Sequence, residues 1–265
     1  MTLLAVAVAG RGLVDPTEPV FFVDDEAVLR GAAAFETVRI RNGHPVLLEG
    51  HVERLIRSAE SLRLPPPDGI AELGRQAAAA AKTDEGALRL FRTSKTLVAT
   101  VASLPDGLEE LRARGIRMIT VEMHGAGLLA GVKATSYAGA LAAIAEAERR
   151  DADDALFISD DGTVLEATMS NIWWRVGETL STPSLSTGVL PGVTRGAVMH
   201  LAHDAGYRIQ EGAFVLADLL AADEAFTSSA VREVMPVVAV DGRTLPRGAA
   251  AAALQGLLER LPESR

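Results

Sequence analysis

Short strand-like runs alternate with helical patterns along this chain, and one tight turn fixes how two of the strands pair. The strand predicted over residues 31–40 ends at Arg41-Asn42-Gly43-His44, and residues 45–48 return from it. An Asn-Gly pair tolerates the positive φ angles of a two-residue hairpin turn, so these two runs are predicted to pair antiparallel. Antiparallel hairpins interspersed with helices predict an α+β fold.

Apolar spacing predicts the helices. Val52, Leu55, Ile56, Ala59 and Leu62 recur at helical spacing, which places them on one face of a helix over residues 49–62. Further helices are predicted over Ile70–Ala81, 137–150, 193–205, Leu216–Leu220 and from residue 249 onward. Strands are predicted over Leu3–Val8, 19–23, 88–91, Leu97–Ala102, 117–123, 155–159, 163–166, 172–175, 208–210, 225–227 and 234–240.

The segment Leu104-Pro105-Asp106-Gly107 is the best linker in the chain. It divides the sequence into a smaller N-terminal domain over residues 1–106 and a larger C-terminal domain over residues 107–265 that carries Lys133. Adjacent Trp173 and Trp174 lie on a predicted strand and must face opposite ways, so one is expected in the core and the other exposed or at an interface.

Composition excludes several classes of protein. The net charge of −9 over 265 residues offers no basic stripe for nucleic acid. There is no cysteine, and the five histidines (His44, His51, His124, His200 and His203) show no metal-site spacing, so no metal is expected. No apolar run approaches the length of a membrane span, and the apolar start lacks a basic segment before it. A first strand and a cytoplasmic location are therefore expected.

Lys133 stands in an unusual setting for a lysine. The chain has three lysines (Lys82, Lys95 and Lys133), and Lys133 follows the small, apolar run 127–132 and precedes a hydroxyl-rich turn. Burial near apolar groups disfavours the ammonium form, which is how proteins make a lysine amine nucleophilic for Schiff-base chemistry. The alternative is a lysine that extends its amine into solvent at a helix start.

Two further segments carry groups that suit a phosphorylated ligand. Glu166 ends an apolar strand, where it either points into a cleft or is a solvated acid. Residues 188–195 form a glycine-flanked turn that enters a helix, and the free backbone N–H groups of this turn with the Thr194 hydroxyl suit an anion, although plain capping is the more frequent explanation of such a turn. The segment 227–230 and Arg54 are further candidates for the same anion site. An amine, a carboxylate and a phosphate cradle are together what a phosphorylated aldehyde cofactor requires.

Six motifs stand in a characteristic order. They are Leu29-Arg30-Gly31-Ala32-Ala33-Ala34-Phe35-Glu36-Thr37-Val38-Arg39; His51-Val52-Glu53-Arg54-Leu55; Val132-Lys133-Ala134-Thr135-Ser136-Tyr137; Val164-Leu165-Glu166 with Ser170-Asn171; Thr182-Pro183 with Leu190-Pro191-Gly192-Val193-Thr194-Arg195; and Thr227-Ser228-Ser229 before Glu233-Val234-Met235-Pro236-Val237. This ordered set resembles the class IV aminotransferases, the fold-type IV pyridoxal-phosphate enzymes. They comprise branched-chain and D-amino-acid transaminases and 4-amino-4-deoxychorismate lyase.

The resemblance implies a fold, a cofactor and roles for seven residues. The fold would be like that of D-amino-acid aminotransferase, with a smaller N-terminal α/β domain and a larger C-terminal pseudo-barrel domain, assembled as a homodimer. Pyridoxal 5'-phosphate would be the cofactor of a small amine or amino-acid-like substrate. Lys133 would carry the cofactor and move the substrate proton, and Glu166 would pair with its ring nitrogen. The phosphate would be held by Arg54, Val193, Thr194, Ser229 and Ala230.

Two segments depart from the family pattern. Ala32 and Ala33 replace an Asp-Gly pair, and Arg92-Thr93-Ser94-Lys95 stands where the family often has Thr-Arg-Gly, so Arg89 and Arg92 are the substitutes for a substrate-carboxylate anchor. The lysine motif and the ending 232–237 are most similar to the lyase branch. The sequence thus favours 4-amino-4-deoxychorismate lyase, over a branched-chain or D-amino-acid transaminase and over a non-catalytic relative with the same fold.

Overall fold

The computed structural model describes residues 1–123 and 127–261, and these fall into two compact units. Unit 1 contains Met1–Asp106 and Val132–Tyr137, and unit 2 contains Gly107–Gly131 and Ala138–Leu261. The sequence predicts that Lys133 belongs to the domain 107–265. Its segment instead groups with unit 1, because the backbone of residues 133 and 135 hydrogen bonds to residues that lead into a strand of that unit. His124 lies outside the described residues.

Unit 1 is built around one six-stranded sheet with two longer helices. Its elements are β1 Leu3–Val8, β2 Gly12–Val14, α1 Glu26–Arg30, β3 Ala34–Arg41, β4 His44–Pro45, α2 Leu48–Ser61, α3 Ile70–Ala81, β5 Gly86–Arg92 and β6 Leu97–Ala102. The strand order is β2-β1-β6-β5-β3-β4, and every neighbouring pair is antiparallel. Apolar side chains of β1, β3, β5 and β6 pack with α2 and α3 to form the core of the unit.

The predicted hairpin is present in unit 1. Asn42 and Gly43 have φ angles of 49° and 79°, and β3 pairs antiparallel with β4 in the register Arg41 to His44. Helix α3 has the predicted bounds, and α2 begins one residue before its prediction. The strand predicted over residues 19–23 is wrong: that segment forms turns and bends that lead into α1, a helix the apolar pattern did not reveal.

Unit 2 contains a nine-stranded sheet. Its elements are α4 Leu108–Arg114, β7 Ile116–Glu122, α5 Ala138–Arg149, β8 Asp154–Ile158, β9 Val164–Ala167, β10 Asn171–Val176, β11 Thr179–Pro183, α6 Val193–Asp204, β12 Arg208–Gly212, α7 Leu216–Leu220, β13 Glu224–Ser229, β14 Glu233–Val240, β15 Arg243–Thr244 and α8 Ala250–Glu259. The strand order is β12-β11-β10-β13-β14-β7-β8-β9, with β15 paired to β14. Strand β9 also lies next to β10 and β11, so the sheet curls back on itself.

Two tryptophans show how the sheet of unit 2 is buried on both faces. Trp173 packs in a cluster with residues of α6 and α8, whereas Trp174 packs in a separate cluster with residues of β7, β14 and α7. The prediction of opposite faces is confirmed. The prediction that one ring is exposed or at an interface is wrong, because the two residues are 0% and 2% exposed. With two curled sheets and mixed helices and strands, the α+β prediction is confirmed.

Within the described residues, no helix combines the length and apolar character needed to cross a membrane.

Candidate active site

The Lys133 segment is held against the start of β3 like a short additional strand. The Phe35 amide donates to the Lys133 carbonyl at 3.1 Å, the Thr135 amide donates to the Ala33 carbonyl at 2.9 Å, and Ala34 and Ala134 form an antiparallel bridge. The Lys133 amide donates to the buried hydroxyl of Ser58 on α2 at 3.1 Å. The backbone of the lysine is therefore fixed from two sides.

The side chain of Lys133 lies against aromatic rings. It is half-buried, and its Nζ is 3.2 Å from the Tyr137 hydroxyl and 4.6 Å from the centroid of the Phe35 ring. Its Nζ also lies 5.7 Å from the centroid of the Tyr137 ring, so two aromatic side chains flank the amine. The other lysines differ, since Lys82 is exposed and Lys95 forms an ion pair of 2.6 Å with Asp24.

Arg54 belongs to a buried cluster of charges in unit 1. Its Nε and Nη2 atoms donate to the two carboxylate oxygens of Glu36, each at 2.7 Å, and His51 Nδ1 is 2.7 Å from Oε2 of the same carboxylate. Burial acts to raise the pKa of Glu36, but the hydrogen bonds from Arg54 and His51 outweigh it and lower the pKa to about 2. Burial lowers the pKa of His51, against the opposing effect of Glu36. Ser58, which binds the Lys133 amide, follows Arg54 on the same face of α2.

Glu166 is held at the end of β9 in unit 2. Its Oε1 accepts a hydrogen bond from the Leu190 amide at 3.1 Å, and its Oε2 accepts one from Asn171 Nδ2 at 3.1 Å. The same amide nitrogen of Asn171 donates to the Leu190 carbonyl at 2.9 Å. Asn171 therefore joins the carboxylate to the loop that leads into α6.

The N-terminus of α6 offers backbone donors. Gly192 is its N-cap residue, and in the described part of the chain no side chain caps this helix end. The amides of Val193 and Thr194 lie in the first turn, where backbone N–H groups have no partner within a helix and the helix dipole is positive. Thr194 is buried. Such an end suits a phosphate.

Ser229 and Ala230 reach the same edge of the sheet. Strand β13 ends at Ser229, and its antiparallel pairing with β10 places Ser228 opposite Asn171, the first residue of β10. Unit 2 thus brings Glu166, the start of α6, Ser229 and Ala230 together, and unit 1 brings Lys133 and Arg54 together. Asn171, Glu36, His51, Ser58 and Tyr137 were not selected as site residues from the sequence, although four of them lie in the quoted motifs.

The segment that departs from the expected Thr-Arg-Gly is tied into unit 1. Buried Asp25 accepts hydrogen bonds from the Thr93 hydroxyl at 2.5 Å and the Ser94 hydroxyl at 2.9 Å. Arg92 donates from Nε to the Pro65 carbonyl at 2.7 Å and lines a groove of about 500 Å³ with Phe22 and other residues. Arg89 is exposed. Arg92 is therefore the less exposed cation of the two.

Comparison with known proteins identifies the family. The family model for class IV amino-transferases matches residues 33–240. A bifunctional aminodeoxychorismate lyase / D-amino acid transaminase from Mycobacterium tuberculosis is 31% identical over 89% of this chain and 91% of its own length. An aminodeoxychorismate lyase from Bacillus subtilis is 29% identical over 82% of this chain and 80% of its own length. This chain belongs to the class IV aminotransferase family.

Solved structures agree with this assignment. The PLP-bound form of a hypothetical aminotransferase from Mycobacterium tuberculosis superposes with a TM-score of 0.89 at 30% identity, covering 96% of this chain and 97% of that one. The protein is therefore an enzyme with the two-domain fold of the family, which sets aside the interpretation as a non-catalytic relative. Its substrates are amines or amino acids.

Pyridoxal 5'-phosphate is the cofactor of this family, and the residues present fit it. Lys133 supplies a half-buried amine, Glu166 supplies a carboxylate held by two donors, and α6 supplies backbone N–H groups for a phosphate. In the described ranges, His, Asp and Glu side chains form no cluster that could hold a metal ion.

Proposed function

We propose that this enzyme is a 4-amino-4-deoxychorismate lyase that forms 4-aminobenzoate and pyruvate for folate synthesis. The names of the Mycobacterium tuberculosis and Bacillus subtilis relatives support the proposal, as does the lysine motif. The substrate carries an enolpyruvyl ether on the ring carbon next to the carbon that bears the amine. Loss of the proton from the amine-bearing carbon, with cleavage of the ether C–O bond, gives 4-aminobenzoate. The released enolpyruvate takes up a proton and becomes pyruvate.

The observation that carries the proposed chemistry is the placement of the Lys133 amine, 3.2 Å from the Tyr137 hydroxyl and above the Phe35 ring. The choice of the lyase over the transaminase rests on the lysine motif and on the names of the relatives. An amine held in this way can take a proton from the substrate carbon and return it to the leaving group. When bound, pyridoxal phosphate withdraws electrons from the carbon that bears the amine. We assign Lys133 as the residue that carries the cofactor and moves the proton.

The remaining predicted residues receive the roles of holding the cofactor. Glu166 would pair with the ring nitrogen, and Asn171, which donates to Glu166 Oε2, would keep its carboxylate in place. Arg54 and the amides of Val193 and Thr194 would bind the phosphate, together with the Thr194 hydroxyl. Ser229 and Ala230 would complete the phosphate site, the latter through its backbone only because its side chain lacks a hydroxyl.

The alternative is a transaminase that acts on branched-chain or D-amino acids with a keto acid as acceptor. The Mycobacterium tuberculosis relative is named for both activities, so its name supports the transaminase as well as the lyase. The two reactions share the lysine, the carboxylate and the phosphate site. They differ in that amino transfer requires a keto acid, whereas the elimination requires no second substrate.

The experiment supplies the purified enzyme and pyridoxal phosphate with 4-amino-4-deoxychorismate and no keto acid. Equal amounts of 4-aminobenzoate, measured by fluorescence, and pyruvate, measured with lactate dehydrogenase, are expected. The lyase assignment is wrong if no 4-aminobenzoate forms in a preparation that transfers amino groups from D-alanine or leucine to 2-oxoglutarate.

Lys133 is tested by substitution. We expect Lys133→Ala to lower the rate at least about 1,000-fold, because an alanine can neither hold the cofactor covalently nor move a proton. Borohydride reduction should attach the cofactor irreversibly to the wild type and to Lys95→Ala, but not to Lys133→Ala, as measured by intact mass. Lys95 is a suitable control because its amine is ion-paired with Asp24 on the surface.

A further inference from the structure

Glu36 is a fully buried acid, and its two partners, His51 and Arg54, lie on one face of α2. Its carboxylate binds Arg54 through Nε and Nη2, both at 2.7 Å, and His51 through Nδ1 at 2.7 Å. His51 and Arg54 are three residues apart on α2 and therefore face the same way. All three residues are at most 4% exposed.

A paired contact of this kind fixes direction as well as distance. The guanidinium is planar and carries its N–H groups in a rigid fork. When Nε and Nη2 both bind one carboxylate, the plane of the group and the direction of its Nη1 edge are determined by the position of that carboxylate. A carboxylate also supplies the opposite charge that a buried guanidinium requires.

The same helix reaches the lysine segment. Ser58 is four residues after Arg54, and its hydroxyl accepts a hydrogen bond from the Lys133 amide at 3.1 Å. The orientation of Arg54 is therefore set on a helix whose position is tied to the backbone of Lys133. Glu36, which lies on β3, links this helix face to the strand that also binds the Lys133 carbonyl through Phe35.

We propose that Glu36 is a positioning residue for cofactor binding: it clamps Arg54 so that the guanidinium is aimed at the cofactor phosphate. The inference rests on the proposed role of Arg54 as a phosphate anchor. His51 supports the clamp through Oε2, the carboxylate oxygen that also accepts a hydrogen bond from Arg54 Nη2. Glu36 itself does not contact the reacting atoms.

The test compares pyridoxal phosphate with pyridoxal, which lacks the phosphate. For Glu36→Gln we expect the Kd for pyridoxal phosphate, from absorbance titration of the apoenzyme, to rise at least about 10-fold, whereas the Kd for pyridoxal changes less than about 2-fold. Glutamine keeps the size and one acceptor oxygen but loses the charge and the symmetric clamp. Glu85→Gln is the matched control, because Glu85 pairs with Arg39 at an exposed position of the same unit.

Two arginine variants separate this inference from the proposed function. If Arg54→Met leaves the Kd for pyridoxal phosphate unchanged, the phosphate-anchor assignment itself fails. If Arg54→Met weakens binding but Glu36→Gln does not, the positioning inference fails while the anchor stands. Equal weakening of pyridoxal and pyridoxal phosphate in Glu36→Gln would likewise overturn it. In the Arg54→Met background, Glu36→Gln should raise the Kd for pyridoxal phosphate by less than about a further 2-fold.

Arg54→Lys provides a measurement that does not require a Glu36 variant to fold. Lysine keeps the positive charge but cannot form the paired contact with the carboxylate. We expect Arg54→Lys to lose most of the phosphate-dependent affinity that Arg54→Met loses. Affinity for pyridoxal phosphate equal to the wild type in Arg54→Lys would show that charge alone is sufficient, and the role of Glu36 in aiming the group would be wrong.

Discussion

Gly192 is needed for its small size. Its φ of −61° and ψ of 132° are open to any residue, so backbone freedom is not the reason for a glycine. A Cβ at this position would overlap Asn171 Oδ1. We expect Gly192→Ala to displace the Asn171 amide, to loosen Glu166 and Leu190 with it, and to lower the free energy of unfolding by about 1–3 kcal/mol. Urea unfolding measures this change, and cofactor titration should show weaker binding.

Gly196→Ala is the control in the same helix. A Cβ at Gly196 meets no atom within 4 Å, and alanine favours helix over glycine by about 1 kcal/mol. This variant should be equal to the wild type or more stable. If Gly192→Ala behaves like Gly196→Ala in both measurements, the close approach of Asn171 does not constrain the site.

Glu36 makes stability depend on pH. Its pKa is lowered from 4.5 to about 2 in the folded protein, so its contribution is complete above pH 4.5 and is lost as the pH falls toward 2. The shift corresponds to stabilisation on the order of 3 kcal/mol. The pKa of His51 is lowered from 6.5 by burial, so folding disfavours its protonated form and stability also falls as the pH drops below 6.5.

The measurement is urea unfolding of the apoenzyme between pH 7.5 and 2.5. Because many carboxylates titrate in this range, the informative quantity is the stability difference between the wild type and Glu36→Gln. That difference should be largest near neutral pH and should shrink below pH 4.5. A difference that stays constant down to pH 2.5 would contradict the stabilising role of the ionised carboxylate.

At the scale of elements, Glu224 on β13 caps the last helix of the chain. Its carboxylate accepts hydrogen bonds from the Ala250 amide at 3.0 Å and the Ala251 amide at 2.8 Å, and Arg175 Nε lies 3.2 Å from it. Glu224→Ala should lower the free energy of unfolding by about 2–4 kcal/mol, because it leaves the two buried N–H groups of Ala250 and Ala251 without acceptors and removes one of the two acids that pair with Arg175. Thermal and urea unfolding both report it.

Glu178→Ala is the comparison for that change. Glu178 is exposed, and its contact with Arg208 is 3.9 Å, so its removal should cost less than about 0.5 kcal/mol. Equal effects of the two substitutions would mean that α8 does not depend on Glu224 for its N-terminus.

The elements that sequence predicted are those with a local physical signal. Helix α3 and strand β6 have the predicted bounds because apolar periodicity and flanking turns define them within a few residues. Helix α1 gives no such signal, since none of its residues is buried. It begins where the Asp25 carboxylate accepts a hydrogen bond from the Ala27 amide. That carboxylate is held by the hydroxyls of Thr93 and Ser94, which are remote in sequence.

The site shows the same division. Three parts of the site have a local signal in the sequence. Lys133 is one of three lysines, Glu166 ends a strand, and glycines flank the turn before α6. The clamp of Glu36 on Arg54 has no such signal, because β3 and α2 meet only through tertiary packing. Asn171 joins Glu166 on β9 to the loop before α6, and this contact could not be predicted for the same reason. The assignment of Lys133 to the later domain failed because the segment Val132–Tyr137 pairs with β3, which chain order does not reveal.

At the scale of the whole molecule, we propose that the enzyme is a homodimer, and unit 1 offers a surface for it. The apolar patch of segment 21–29 consists of Phe21, Phe22, Val23, Val28 and Leu29, which are 41–81% exposed. Large exposed apolar side chains this close together in the chain are candidates for an interaction surface, and two-fold dimers are the commonest assemblies of soluble proteins.

Val28→Glu tests whether this patch is the dimer contact. A charge placed in an apolar interface must be desolvated without a partner, so we expect the variant to be mainly monomeric at micromolar concentration, where we expect the wild type to be dimeric. Light scattering after gel filtration gives the mass. Val176→Glu is the matched control, because Val176 is 54% exposed, as Val28 is, but lies between Arg175 and Gly177 outside the patch. If Val28→Glu keeps the wild-type mass, the dimer uses another surface; a monomeric wild type would remove the dimer proposal itself.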